Sequence, residues 1–298
     1  MLRRSVSLAL VGLMVGPKAQ ATTTSSDPNF SMDPIDVDGG RVVRRLRMKL
    51  QFRNPTSRAL KGEKFFCYLP KIHGDAQQLI KTETDYGHRL VSDEIGHQIL
   101  ALEFDDVQPW AQAVVTVTVH VRARRSSPQE MLVDQGPWLR PERFIESDHL
   151  RVQELASDLR QNDDWATTRS IFEWVRSSLT YAGYIAEDLG ALYALLERRG
   201  DCTEYANLVV ALARASSIPA RMLGGYVVQN DAVLKPTEYH NWAEIYLGGA
   251  WRIVDAQKGA WLASPANYIA FRVYRDTSLN EVGLAHRYRL TGELMVQL

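Results

Sequence analysis

The chain has 298 residues, of which 45% are hydrophobic and 23% are charged. This composition is typical of a globular protein with a sizeable core, and the length predicts one or two domains. Its 35 basic residues are balanced by 35 acidic ones, so net charge gives no electrostatic reason to expect nucleic acid or an anionic membrane as a partner.

The N-terminus has the pattern of an export signal. Arg3 and Arg4 precede a mostly apolar stretch over residues 6–15, which is too short to span a bilayer. Small residues ending at Ala21 then stand at the spacing of a signal peptidase site. We therefore predict a signal peptide over residues 1–21 and a secreted or periplasmic protein without stable membrane insertion. The Sec route, the twin-arginine route and a retained anchor are all open alternatives.

The next part of the chain predicts strands. Residues 22–40 form a Ser-, Thr- and Asp-rich segment that we expect to be a flexible lead-in. From residue 41, short segments of alternating or apolar residues are separated by turn signals, and the clearest is the valine-rich stretch at 114–121. We predict a β-sandwich over residues 41–124.

The second half predicts a different architecture. Residues 125–147 are interrupted by prolines and are predicted to be a linker. Four segments with helical spacing follow, ending with one that starts at Cys202 and is stopped before Pro219. Strand patterns come after them. Residues 148–298 are therefore predicted to be an α+β domain.

Cys202 directly follows Gly200 and Asp201, where a long helix is predicted to start. Unpaired N–H groups and the helix dipole at this position favour a thiolate, so we expect a lowered pKa and a nucleophilic sulfur. Cys67, the other cysteine, lies in an apolar strand pattern and is expected to be a small buried hydrophobe. A disulfide between the two is the structural alternative.

A hairpin pattern places two further polar residues together. Gly248 and Gly249 predict a two-residue turn. If the flanking residues pair, His240, Trp242 and Asp255 share one face of the sheet, with His240 and Asp255 as diagonal neighbours. A carboxylate–imidazole hydrogen bond would then orient the histidine ring, and Trp242 would form a wall of the site.

Three blocks carry a family resemblance. They are Arg199-Gly200-Asp201-Cys202-Thr203-Glu204-Tyr205-Ala206 with Ile218-Pro219-Ala220-Arg221, then His240-Asn241-Trp242-Ala243-Glu244, then Trp251-Arg252-Ile253-Val254-Asp255-Ala256. In this order they resemble the blocks of the transglutaminase-like superfamily over residues 150–260. The resemblance implies a papain-like fold for residues 148–298.

The resemblance also implies a mechanism. Cys202 would be the nucleophile, His240 the base and then the acid, and Asp255 the residue that orients it. An aromatic donor to the oxyanion is expected upstream of the cysteine; Tyr181 fits best, and Tyr184 and Trp165 are rivals. No cofactor or metal is predicted, because no metal-ligand spacing accompanies the triad.

Three functions are compatible with these residues. The first is hydrolysis of an amide bond in a peptide, a protein or a cell-wall fragment through a thioacyl intermediate. The second is transamidation, which crosslinks glutamine side chains to amines and needs a site that excludes water. The third is a binding or scaffold protein that keeps the fold without activity.

Overall fold

A computed structural model describes residues 40–277 and 280–298. The predicted signal peptide and the lead-in up to residue 39 lie outside the described residues. The strands are β1 (Arg41–Arg53), β2 (Glu63–Leu69), β3 (Gln77–Thr84), β4 (Arg89–Ser92), β5 (Gln98–Phe104), β6 (Gln112–Arg124), β7 (Thr180–Tyr181), β8 (Arg199–Gly200), β9 (Ala220–Val227), β10 (Ala232–Val233), β11 (Tyr239–Leu247), β12 (Ala250–Asp255), β13 (Ala260–Ala263), β14 (Tyr268–Val273), β15 (Tyr288–Thr291) and β16 (Met295–Gln297).

Four α-helices lie between these strands, and all four match predicted helical segments. They are α1 (Leu150–Leu159), α2 (Asp164–Ser178), α3 (Gly190–Glu197) and α4 (Cys202–Ala215). The chain is therefore α+β, as predicted. Within the described residues, no helix has the length and the apolar character needed to cross a lipid bilayer.

The N-terminal part is a sandwich of two sheets. One sheet has the order β10-β1-β6-β3 with β16 also on β1, and the other has the order β15-β2-β5-β4. Every second residue of β1 and β6 enters the space between the sheets, as the alternating pattern predicts. Phe52 of one sheet meets Phe65 and Phe104 of the other, with ring centroids 5.1 and 4.7 Å apart, so the two sheets share one core.

The sandwich is completed by strands from far along the chain. β15 pairs with β2, β16 pairs with one end of β1, and β10 pairs in parallel with the middle of β1. Sheet membership therefore departs from the predicted division into residues 41–124 and 148–298. The physical reason is that β1 and β2 have free edges, which later strands satisfy with backbone hydrogen bonds.

The second half is built on a five-stranded sheet with the order β13-β12-β11-β9-β14. Helix α4 is buried almost along its whole length. It packs with α1, α2 and α3 against Ala243 and Ile245 of β11 in one apolar cluster. The opposite face of the sheet carries a smaller cluster around Trp242. The helices predicted to precede these strands thus form a layer on one face of this sheet.

A buried polar network joins the sandwich to this sheet. His73 Nε2 lies 3.0 Å from Glu244 Oε2, and Arg221 NH2 lies 2.7 Å from the same oxygen. Lys71 Nζ lies 3.1 Å from His73 Nδ1. Burial alone would raise the pKa of Glu244, but His73 and Arg221 together outweigh it and hold that pKa at about 2. Glu244 is therefore a structural anion that forms a salt bridge with Arg221.

The segment predicted as a linker, residues 125–147, is fixed to the second domain. Tyr246 OH donates to the carbonyl oxygen of Glu130 at 2.6 Å, and the rings of Trp138 and Trp251 meet edge to face. Glu142 forms a buried ion pair with Arg214 of α4. These contacts hold the connection against the domain that carries Cys202.

Candidate active site

Cys202 is the first residue of α4 and is half-buried. The preceding turn is fixed by two carboxylates. Asp201 accepts hydrogen bonds from the N–H of Thr203 at 2.7 Å and of Ile185 at 3.0 Å. Glu204 accepts from the N–H of Asp201 at 3.0 Å. This arrangement caps the helix start and holds Cys202 at its end. Glu204 therefore completes a capping box at the start of α4.

The hairpin has the predicted register. Leu247 pairs with Ala250, and Gly248 and Gly249 have φ of 57° and 75°. Such positive values are what a two-residue turn of this type requires. His240 Nε2 lies 2.7 Å from Asp255 Oδ2, and both side chains are buried. The hydrogen bond expected from the alternation of side chains is thus present, and it leaves Nδ1 as the ring nitrogen that Asp255 does not engage.

Trp242 lies on the same face as His240. Its ring stacks on the imidazole with centroids 6.4 Å apart, and its other side meets the ring of Tyr268 edge to face. Only 1% of Trp242 is exposed. Its position matches a wall behind His240 rather than a solvent-facing side chain.

The helix that carries Cys202 lies on the other face of β11. Helix α4 packs on the face opposite His240, and the Nδ2 of Asn241 donates to Thr203 Oγ1 at 2.9 Å. The backbone N–H of Asn241 lies against the Cys202 sulfur, and Asp255 acts on that sulfur electrostatically. The sulfur therefore lies beside the backbone of Asn241, the residue that follows His240. The structure joins His240 to Asp255 by a hydrogen bond and places Cys202 near them.

Two comparisons with known proteins bear on this arrangement. Residues 153–256 match the family model of the transglutaminase-like superfamily. The chain carries a transglutaminase-like domain. All three residues of the predicted triad lie in the matched segment, and the match supports a cysteine-dependent enzyme of this superfamily. An uncharacterized protein of Mycobacterium leprae is 35% identical over 83 residues, which is 26% of this chain and 30% of that protein's length.

One solved structure shares the fold over most of the chain. The "Putative Cysteine Protease" of Cytophaga hutchinsonii superimposes with a TM-score of 0.61 at 20% identity, over 87% of this chain and 90% of that one. The periplasmic domain of TgpA from Pseudomonas aeruginosa has a TM-score of 0.38, also at 20% identity, over 71% of this chain and 70% of that one. The first of these likenesses extends the shared fold beyond the transglutaminase-like domain into the sandwich.

The expected low pKa of Cys202 is wrong for this structure. Burial of the sulfur, and next the negative charge of Asp201, raise the pKa of Cys202 to about 12. The N–H of Asn241 opposes this increase but does not cancel it. The helix start therefore does not create a resting thiolate, because burial and nearby carboxylates outweigh it. In the free transglutaminase-like domain the sulfur holds its proton at neutral pH.

Cys67 differs from Cys202 in its surroundings. It is a free thiol inside β2, in the core of the sandwich, and burial raises its pKa to about 12. Cys202 is also a free thiol, in the other half of the molecule. The structure therefore contains no Cys67–Cys202 disulfide.

The three aromatic candidates for an oxyanion donor lie in different places. Tyr181 pairs with Gly200 in the β7–β8 ladder, and its pKa is raised by burial and next by Cys202, so it is near the sulfur. Tyr184 is 83% exposed. Trp165 lies against Gly248, at the end of the hairpin remote from His240. Position favours Tyr181; its role stays a prediction.

Several residues at the site escaped the sequence patterns. Tyr268 OH donates to Asp255 Oδ2 at 3.0 Å, so this oxygen serves both Tyr268 and His240. Gly224 and Gly225 stand opposite Asn241 and His240 in β9. A Cβ on Gly225 would lie 2.0 Å from the carbonyl oxygen of Ile269. Adjacent glycines inside a strand pattern were the available signal for this close approach.

The raised pKa of Cys202 gives a testable pH dependence. Asp201→Asn removes a negative charge that raises this pKa, while asparagine remains a good helix cap. We expect iodoacetamide to alkylate Cys202 of the variant roughly three- to tenfold faster at pH 8 than in the wild type. Intact mass against time measures the rate. Equal or slower alkylation in a folded Asp201→Asn protein would contradict this electrostatic account.

Proposed function

We propose that this protein is a cysteine-dependent acyl-transfer enzyme that hydrolyses amide bonds through a thioacyl intermediate. The observation that supports it most directly is the buried hydrogen bond between His240 and Asp255, beside the first turn of the helix that carries Cys202. This combination provides a nucleophile, a proton acceptor and a group that orients the acceptor. A scaffold protein has no need of a buried carboxylate–imidazole pair next to a half-exposed thiol.

The chemistry begins with a proton transfer, because Cys202 holds its proton in the free protein. His240 Nδ1 accepts that proton as the sulfur attacks the carbonyl carbon of the amide. The oxyanion receives hydrogen bonds from the N–H of Cys202, at the start of α4, and from Tyr181. His240 then gives the proton to the nitrogen as the C–N bond breaks, and an amine leaves. A water molecule, deprotonated by His240, hydrolyses the thioester and restores the thiol.

The proposed setting is outside the cytoplasm, on the basis of the export signal predicted for residues 1–21. The proposed substrates are peptides, proteins or cell-wall fragments that contain an amide bond. Water is abundant in that setting, which favours hydrolysis over transfer to a second amine.

A substrate panel tests the proposal. Purified protein is incubated with glutamine-containing peptides and wall-derived peptides, and intact mass is followed for an acyl adduct on Cys202. We expect the adduct to form and then decay with release of an amine or ammonia, while a fluorescent amine is not incorporated. Incorporation of that amine would replace hydrolysis by transamidation. Product formation that is equal in wild type and Cys202→Ala would overturn the proposal.

A further inference from the structure

A second carboxylate–imidazole pair lies outside the proposed triad. Asp188 Oδ2 is 2.8 Å from His286 Nε2, and His286 Nδ1 is 2.9 Å from the hydroxyl of Tyr274. Tyr274 OH in turn lies 3.1 Å from Asn241 Oδ1, and Asn241 Nδ2 lies 2.9 Å from Thr203 Oγ1. We call these five side chains the His286 chain. It runs from the loop before α3 to the start of α4.

At its other end, the His286 chain consists of residues that directly follow two members of the proposed triad. Asn241 follows His240 in β11, and Thr203 follows Cys202 in α4. The same Asn241 presents its backbone N–H to the Cys202 sulfur. Asn241 is 4% exposed, so its amide finds its partners inside the protein. The chain therefore ties the strand of the base to the helix of the nucleophile.

The hydrogen bonds of the His286 chain can be satisfied in two ways. With two ring protons, His286 donates to Asp188 and to Tyr274, Tyr274 donates to Asn241, and the Asn241 amide donates to Thr203. With one ring proton, Tyr274 donates to His286, and the Asn241 amide turns over so that Thr203 donates to it. In both states the oxygen and the nitrogen of the Asn241 amide each have a partner. The chain can thus hold this residue whether or not His286 is charged.

A glycine in the neighbouring strand leaves room for the side chain of Asn241. Gly224 faces Asn241 across the β9–β11 ladder. A Cβ on Gly224 would lie 2.4 Å from the hydroxyl of Tyr239 and 2.7 Å from Asn241 Oδ1. These separations are too short for nonbonded atoms, so only glycine leaves room for the two side chains. The guanidinium of Arg272 lies 4.3 Å from the ring centroid of Tyr274 and holds that ring from another side.

We infer that Asp188, His286 and Tyr274 are positioning residues: through Asn241 they fix the backbone N–H that faces Cys202 and the separation between Cys202 and His240. The inference rests on the proposed function of the triad. It adds a second set of residues that serves the reaction without touching the substrate. Loss of any link would loosen Asn241 and weaken the hydrogen bond from its backbone N–H to the Cys202 sulfur.

The reactivity of Cys202 tests this role without a known substrate. In Tyr274→Phe the hydroxyl that joins His286 to Asn241 is missing, and we expect alkylation by iodoacetamide at pH 8 to slow about three- to tenfold. Tyr86→Phe is the matched control, because its hydroxyl donates to the backbone carbonyl of Glu103 in the sandwich, and its rate should equal that of the wild type. Equal rates in folded Tyr274→Phe and wild type would overturn the inference.

The variant His286→Ala allows a chemical-rescue experiment with imidazole. The His286 side chain is 38% exposed, and Asp188 and Tyr274 line an open cavity of about 450 Å³, so added imidazole can replace the lost ring. We expect slowed alkylation that imidazole restores in His286→Ala but does not change in Tyr274→Phe. A slowed His286→Ala that imidazole fails to restore would overturn the positioning role. Absence of any acyl adduct on Cys202 would instead overturn the proposed function and leave the alkylation result valid.

Discussion

Replacing Cys202 by alanine is expected to abolish amide-bond turnover, with a fall in kcat/KM on the order of 10⁴-fold or more. The reason is that the sulfur forms the covalent bond to the acyl group, which the methyl group of alanine cannot form. Turnover of the substrate found by the peptide panel, measured at saturating and at low concentration, gives kcat and KM separately.

Cys67→Ala is the matched control for this change. It removes the same atom from the sandwich core, where the thiol packs as a small apolar group. We expect full activity per folded molecule and a loss of stability of about 1 kcal/mol. Comparable losses of activity in the two folded variants would show that the effect of Cys202→Ala is structural and would contradict its role as the nucleophile.

Asp255→Asn is expected to lower kcat by on the order of 10⁴-fold while changing KM little. Asp255 Oδ2 accepts from both His240 Nε2 and Tyr268 OH. The other oxygen, Oδ1, accepts from the N–H of Lys258 at 3.0 Å. An asparagine that keeps this bond with its single oxygen turns its NH₂ group toward His240 and Tyr268, so the imidazole carries its proton on Nδ1. That nitrogen is then unable to accept the proton of Cys202. Turnover of folded Asp255→Asn, with its melting temperature as the check on folding, measures the effect.

The variant Tyr268→Phe separates the orientation of His240 by Asp255 from the contact between Asp255 and Tyr268. Burial, and next the charge of Asp255, raise the pKa of Tyr268 well above its ordinary value, so its hydroxyl keeps the proton that it donates to Asp255. Removing it leaves the His240–Asp255 bond in place, and we expect a loss in kcat of only about two- to tenfold. A loss as large as that of Asp255→Asn would mean that the phenol, rather than the tautomer of His240, controls the reaction.

The elements that could be predicted from sequence are those whose signal is local. The four helices follow apolar residues at helical spacing, and the Gly248-Gly249 turn sets the register of its hairpin. That register alone brings His240 and Asp255 to one face. These predictions succeed because each depends on neighbours within a few residues or on a single turn.

The remainder depends on contacts between distant parts of the chain. The raised pKa of Cys202 results from burial by packed elements, which the position at a helix start does not reveal. Tyr268 reaches Asp255 from a strand that pairs only with β9, so no hairpin rule places it there. His286 has no local motif, and only the folded chain brings it to Asp188 and Tyr274.

The pairing of β15 with β2 also sets an order of folding. Tyr288 pairs with Cys67, which lies 221 residues earlier in the chain. A ribosome therefore makes β2 long before the strand that covers its edge, and the entire transglutaminase-like domain is synthesised in between. Until residues 288–297 emerge, the sandwich has an open edge available for pairing with other chains. Correct assembly of the sandwich thus depends on a segment made long after β2, and contacts of such long range slow folding.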